Sequence, residues 1–127
     1  MLAVDAAGQV LLVRHSYGSG TWLLPGGGIA RRETPLAVAQ RELTEEVGLT
    51  LAQACSLAVI DEPLYGTVNR VHLISGTAQG ELHCDGREIV AAQFFDPLDW
   101  PTGLSPRLAA QLDGWLVLRQ KMQPLEG

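Results

Sequence analysis

The chain has 127 residues, 46% apolar and 18% charged, a composition that suits one globular domain over 1–127 with a core large enough to need no disulfide or metal staple. A formal net charge of −5 gives no general attraction for nucleic acid or an anionic membrane, so nucleic acid is disfavoured as a partner and a phosphate-bearing ligand has to be met by local cations. No apolar run reaches the roughly 18 residues of a membrane span, MLAVDAAG has no basic-then-apolar leader, and Cys55 and Cys84 fit neither a zinc knuckle nor a CxxC motif; the expectation is a cytoplasmic protein, off the membrane, with two ordinary thiols.

In chain order, Leu2 to Val4 and Val10 to Arg14 read as apolar strands joined by a turn at Asp5-Ala6-Ala7-Gly8. The stretch HSYGSGTW over 15–22 is a loop, in which His15 and Tyr17 are the side chains able to face a ligand and a plain surface loop is the simpler reading. Trp22-Leu23-Leu24 is a short apolar anchor, and Gly26-Gly27-Gly28 supplies backbone that another group can approach closely.

Thr34 as N-cap, Pro35 in the first helical position and Gly48 past the end predict a helix over 35–47. Leu36, Leu43 and Val47 fall within about 40° of one another on its wheel with Ala39 beside them, which predicts the stripe that docks on a sheet. Ser56 to Ile60, Arg70 to Ser75 and Glu88 to Phe95 read as further short strands, with Gly76, Gly80 and Gly86 at the turns. Ser105-Pro106 opens a second helix whose Leu108, Leu112, Trp115, Leu116 and Leu118 recur at helical spacing.

The first helix ends in three glutamates. With Glu42 at zero, Glu46 falls about 40° to one side and Glu45 about 60° to the other, so the carboxylates share a face. Like charges at this spacing repel, and they lie in the last turn, where the helix dipole favours cations. A divalent cation held by oxygen ligands would reverse the sign of that interaction, whereas a solvated acidic helix end is the alternative.

Gly27, Glu33, Arg41-Glu42-Leu43, Glu45-Glu46, Gly48 and Leu49 together satisfy G-x5-E-x7-R-E-U-x-E-E-x-G-U, with U apolar. This resembles the Nudix box, the signature of the Nudix hydrolase superfamily. The strand VLLVR before the box, the PGG entrance and Glu88 ahead of Phe94-Phe95 and DPLDWP extend the likeness more loosely.

The resemblance implies an α/β fold, a Nudix-type α/β/α sandwich with a mixed sheet and a loop-helix-loop catalytic motif. It also implies an enzyme that uses Mg²⁺, or Mn²⁺ in its place, to hydrolyse a pyrophosphate bond in a nucleoside diphosphate linked to another group. Glu42, Glu45 and Glu46 match the family's metal ligands, with the Gly27 carbonyl completing the shell. Glu33 matches a residue supporting loop and helix, and Arg41 one that orients the glutamates.

Glu45, Glu46 or Glu88 is the base that takes the water's proton, with Glu88 ranked last; sequence does not choose among them, because neighbouring carboxylates raise a pKa and a metal lowers it. Arg14, Arg70 and His72 are candidates for phosphate or base contacts, against a structural role on strands. Ala30 and Arg32 stand where family members commonly have an acidic residue and a glycine, so the loop's substrate contacts are expected to differ. The alternatives weighed are an RNA 5′-end pyrophosphohydrolase and a catalytically silent ligand sensor or interaction module. Family habit adds a homodimer to the expectations.

Overall fold

A computed structural model describes residues 1–26, 34–64 and 66–122, with backbone alone over 62–64 and 67–69. The elements in order are β1 (Leu2–Val4), β2 (Val10–His15), α1 (Pro35–Val47), β3 (Thr50–Leu64), β4 (Thr67–Gln79), β5 (Ile89–Phe95) and α2 (Pro106–Met122).

The strands form one sheet in the order β3-β4-β1-β2-β5. β1 runs parallel to β4, and the other neighbours are antiparallel, so the sheet is mixed. The turn between β1 and β2 closes on Asp5, whose Oδ1 accepts from the Ala7 and Gln9 amides at 2.9 and 2.8 Å, with Gly8 at φ 82°.

Alternation along β1 and β2 assigns their side chains to two cores. Leu2, Val4, Val10 and Leu12 pack with Leu108 and Leu112 of α2, while Ala3, Leu11 and Val13 pack with Leu43 and Val47 of α1. Both faces of the sheet are therefore covered, which explains why these strands read as unbroken apolar runs instead of alternating ones. The outcome is the expected α/β/α sandwich.

Helix α1 has the predicted bounds. Thr34 Oγ1 accepts from the Ala37 amide at 3.2 Å, and Gly48 sits at φ 74° with its amide on the Thr44 carbonyl at 3.0 Å. The docking face differs from the predicted stripe: Leu36 is 44% exposed, and Val38, Ala39, Leu43, Glu46 and Val47 are the buried residues. A helical wheel tells which residues share a face, not how far along the axis the covering elements reach.

The region after α1 is a correction to the expectation of short strands. β3 and β4 form one long hairpin, paired from Thr50↔Gln79 to Leu64↔Thr67, with Gly66 at φ 79° in its turn. Much of the hairpin has no buried face, as at Val59, which is 52% exposed, so apolar patterning reveals only its middle. Gly76 is not at a turn but inside β4, where β3 bulges between Ala52 and Cys55 with Gln53 at φ 53°. A Cβ on Gly76 would meet the Ala52 carbonyl at 3.1 Å, so the glycine admits the bulge.

Among the described residues, Cys55 and Cys84 are free and exposed, and no helix is long and apolar enough to cross a membrane.

Candidate carboxylate site

Helix α1 packs on the sheet with Glu46 in its buried face. Glu46 is 4% exposed, and its Oε2 is a buried oxygen with no hydrogen-bond partner. Its pKa is raised to about 7, first by burial, then by Glu42 through charge and a side-chain hydrogen bond, and then by the charges of Glu88 and Asp85. A carboxyl group stripped of water and surrounded by like charge favours its proton.

Arg41 organises the next layer. Its Nη1 donates to Glu42 Oε1 at 3.2 Å and to Glu45 Oε2 at 3.3 Å, bridging the two. The Glu42 side chain is 16% exposed and turns inward, while that of Glu45 is 60% exposed and faces solvent beside Arg41. The three glutamates of one helical face are thus split: Glu42 and Glu46 meet, and Glu45 stands apart.

Glu88 is brought to Glu46 by the segment leading into β5. The His83 amide donates to the Val47 carbonyl at 3.1 Å and the Asp85 amide to the Glu46 carbonyl at 3.0 Å, so this segment caps the end of α1. Asp85 Oδ1 accepts from Arg87 and Ile89 amides at 2.9 and 3.0 Å, and these bonds, that to Arg87 foremost, hold its carboxyl below the usual range. On the far side, the Ser16 amide donates to the Glu88 carbonyl at 2.9 Å.

Sequence reasoning missed Asp85. Its signal was an aspartate-glycine pair, Asp85-Gly86, just ahead of a strand that starts with a candidate acid, the pattern of a side chain folding a turn onto its own backbone.

The other candidates divide. His15 lies opposite Ile89, with a buried, unbonded Nδ1 and its ring 5.0 Å from that of Tyr17, so both flank Glu88's strand end. Arg14 stacks over Trp22 at 5.7 Å, and Arg70 pairs with Asp61 at 3.0 Å, which gives each a structural partner. His72 lies in β4 opposite Val59. Gly27, Glu33, Ala30 and Arg32 lie outside the described residues.

The described residues contain no cluster of three or more His, Cys, Asp or Glu side chains arranged to hold a metal. The pair Glu42–Glu46 nevertheless fits a hard cation, because a buried carboxylate oxygen of Glu46 has no hydrogen-bond partner among the described residues. Mg²⁺ is commonly held by one or two carboxylates with water and substrate phosphate, not by an all-protein cage. A cavity of about 230 Å³ lined by Gln53, Cys55, Leu57, Ser75 and Arg119 lies on the opposite, α2 face of the sheet.

The class these observations define is an α/β/α sandwich with Glu46 buried and Glu42 half-buried at the end of its first helix. Residues 1–116 match the NUDIX domain family model, and the chain belongs to that family.

A protein of Mycobacterium tuberculosis named putative 8-oxo-dGTP diphosphatase 2 is 40% identical, over 69% of this chain and 66% of its own length. An RNA pyrophosphohydrolase of Alkalilimnicola ehrlichii is 46% identical over 41% of this chain and 28% of its own. The chain therefore spans about two thirds of the first relative and under a third of the second. The crystal structure of a MutT NUDIX hydrolase from Burkholderia pseudomallei shares the fold with a TM-score of 0.73 at 25% identity, covering 88% of this chain and 92% of that one.

Proposed function

We propose that the chain is a single Nudix hydrolase domain that cleaves a pyrophosphate bond in a nucleotide-type small molecule with the help of a divalent cation, Mg²⁺ or Mn²⁺. The observation that carries the reading is Glu46, a buried carboxyl with an unbonded oxygen, set against Glu42 and within electrostatic reach of Glu88 and Asp85.

In this reading Glu42 and Glu46 hold the cation, and the Gly27 carbonyl and Glu45 are further candidates from the box. When bound, such a cation neutralises phosphate charge and acidifies a water. Arg41 orients the ligand pair through its bond to Glu42 and ties down Glu45. A carboxylate engaged by a cation is a weaker base, which leaves Glu88, close but on another element, to take the proton from the attacking water. Glu33, outside the described residues, is carried from the box as a further candidate.

The more extensive relative and the charge support one substrate class over another. A net charge of −5 disfavours a long polyanion, so an oxidised or otherwise modified nucleoside triphosphate stands ahead of a triphosphorylated RNA end.

The test is a panel of 8-oxo-dGTP, dGTP, ADP-ribose, NADH, a diadenosine polyphosphate and triphosphorylated RNA, assayed with Mg²⁺ or Mn²⁺ against the Glu46→Gln variant. At least one nucleotide is expected to be turned over about 100-fold faster by wild type. A panel on which the two proteins are equal overturns the reading.

A further inference from the structure

We infer that Asp85 is a positioning residue for the hydrolytic site, fixing where Glu88 stands relative to the end of the glutamate helix. The inference rests on the proposed hydrolase reading and adds a residue outside the box.

Four contacts carry it. The Asp85 amide donates to the carbonyl of Glu46 at 3.0 Å, so its backbone is tied to the residue at the centre of the carboxylate cluster. Its carboxylate then accepts from the amides of Arg87 and Ile89, the two neighbours of Glu88, at 2.9 and 3.0 Å. The Ser16 amide holds the Glu88 carbonyl at 2.9 Å from β2. Glu88 therefore has fixed backbone on both sides, and Asp85 links that backbone directly to the end of α1.

A helix and a strand end placed by separate elements would otherwise set their carboxylates only as well as the intervening turn allows. Asp85 replaces that turn's freedom with hydrogen bonds, and misplacing a reacting group by about 1 Å can cost about 100-fold in rate. The acceptor oxygen, not the negative charge, is what the geometry uses.

The experiment compares wild type with Asp85→Asn, which keeps an Oδ1 acceptor, Asp85→Ser, which keeps a shorter one, and Asp85→Ala. Readouts are kcat and KM on the best substrate of the panel, Mn²⁺ affinity by titration, and amide exchange over 85–89. The Asn variant is expected within about threefold of wild type in kcat, and the Ala variant about 100-fold down with KM nearly unchanged and faster exchange over 85–89. Should the Ala variant fail to fold, the Ser variant is expected between wild type and a tenfold loss, again in kcat and not KM.

An Ala variant with wild-type kcat overturns the inference, as does an Asn variant as damaged as Ala, since charge would then be the operative feature. A wild type that hydrolyses nothing and binds no Mn²⁺ defeats the parent reading and this one together. A working wild type with an equally working Ala variant defeats this one alone.

Discussion

Gly48 lies close against the His83 ring: a Cβ built on Gly48 would collide with the ring, at Cε1 first, and Gly48 itself is left-handed at φ 74°. The glycine that ends α1 therefore serves two purposes, turning the chain and leaving room for the ring that follows it back across the helix end. Gly48→Ala is expected to lose about 1–2 kcal/mol from the left-handed backbone, plus the cost of displacing His83. Adding His83→Ala should recover the second part and not the first, so the pair will be non-additive in denaturant titrations. Equal losses with and without the ring would show that the contact carries no energy.

Glu46 makes the stability of the metal-free protein depend on pH. Its pKa moves from 4.5 to about 7 on folding, so the fold holds the proton more tightly than the unfolded chain does. The associated stability is fully present below 4.5 and is lost as pH rises through 7, about 3 kcal/mol in all at 1.36 kcal/mol per pH unit. In chelator, Glu46→Gln should match wild type at pH 4 and exceed it at pH 8, and Mg²⁺ should close the gap at pH 8 by stabilising wild type alone. Parallel pH profiles for the two proteins in chelator would refute this.

Arg41 separates stability from activity. Its contacts to Glu42 and Glu45 are at least partly exposed ion pairs, worth about 1 kcal/mol or less. Arg41→Lys is therefore expected to melt within a few degrees of wild type. The shorter-reaching lysine stem does not place its nitrogen where Arg41 Nη1 meets both carboxylates, so kcat should fall by about tenfold or more. A Lys variant of full activity would remove Arg41 from the site.

Leu112 is the control on the other face. It is fully buried in the core that joins α2 to the sheet, and Leu112→Ala should cost about 2–5 kcal/mol in chemical denaturation. Because the carboxylates belong to the opposite layer, kcat measured well below the melting temperature should change by less than about twofold. A large kcat loss in a folded Leu112→Ala protein would mean that the two layers are coupled.

The parts of this molecule legible in the sequence are those fixed by local chemistry. Thr34, Pro35 and Gly48 each act within one turn, and α1 has the bounds they dictate. The carboxylate face was equally visible in the spacing of Glu42, Glu45 and Glu46. Its division was not, because whether a carboxylate turns in or out depends on what the sheet covers. Glu46 is buried and Glu45 exposed although both lie close to Glu42 on the wheel. Leu36 fails for the same reason.

The hairpin was underestimated because an exposed two-stranded ribbon needs no apolar alternation, and Gly76 misled because a glycine that admits a bulge has the same spelling as one in a turn. Asp85 was missed because its importance lies in a backbone contact with a residue far back in the chain.

The shortest strand, β1, holds the centre of the sheet, joined to β2 next to it in sequence and to β4 through Leu2↔Ser75. The two hairpins can each zip from their own turns, but the sheet becomes one object only when those three residues find a partner some seventy positions later. Assembly should therefore be limited by distant closures, this one and that of β5 on β2 from Val10↔Phe95 to His15↔Ile89, and until the first happens both hairpins carry an unpaired flank. Crowding during synthesis then threatens the molecule most at β4, whose inner edge waits for its smallest neighbour.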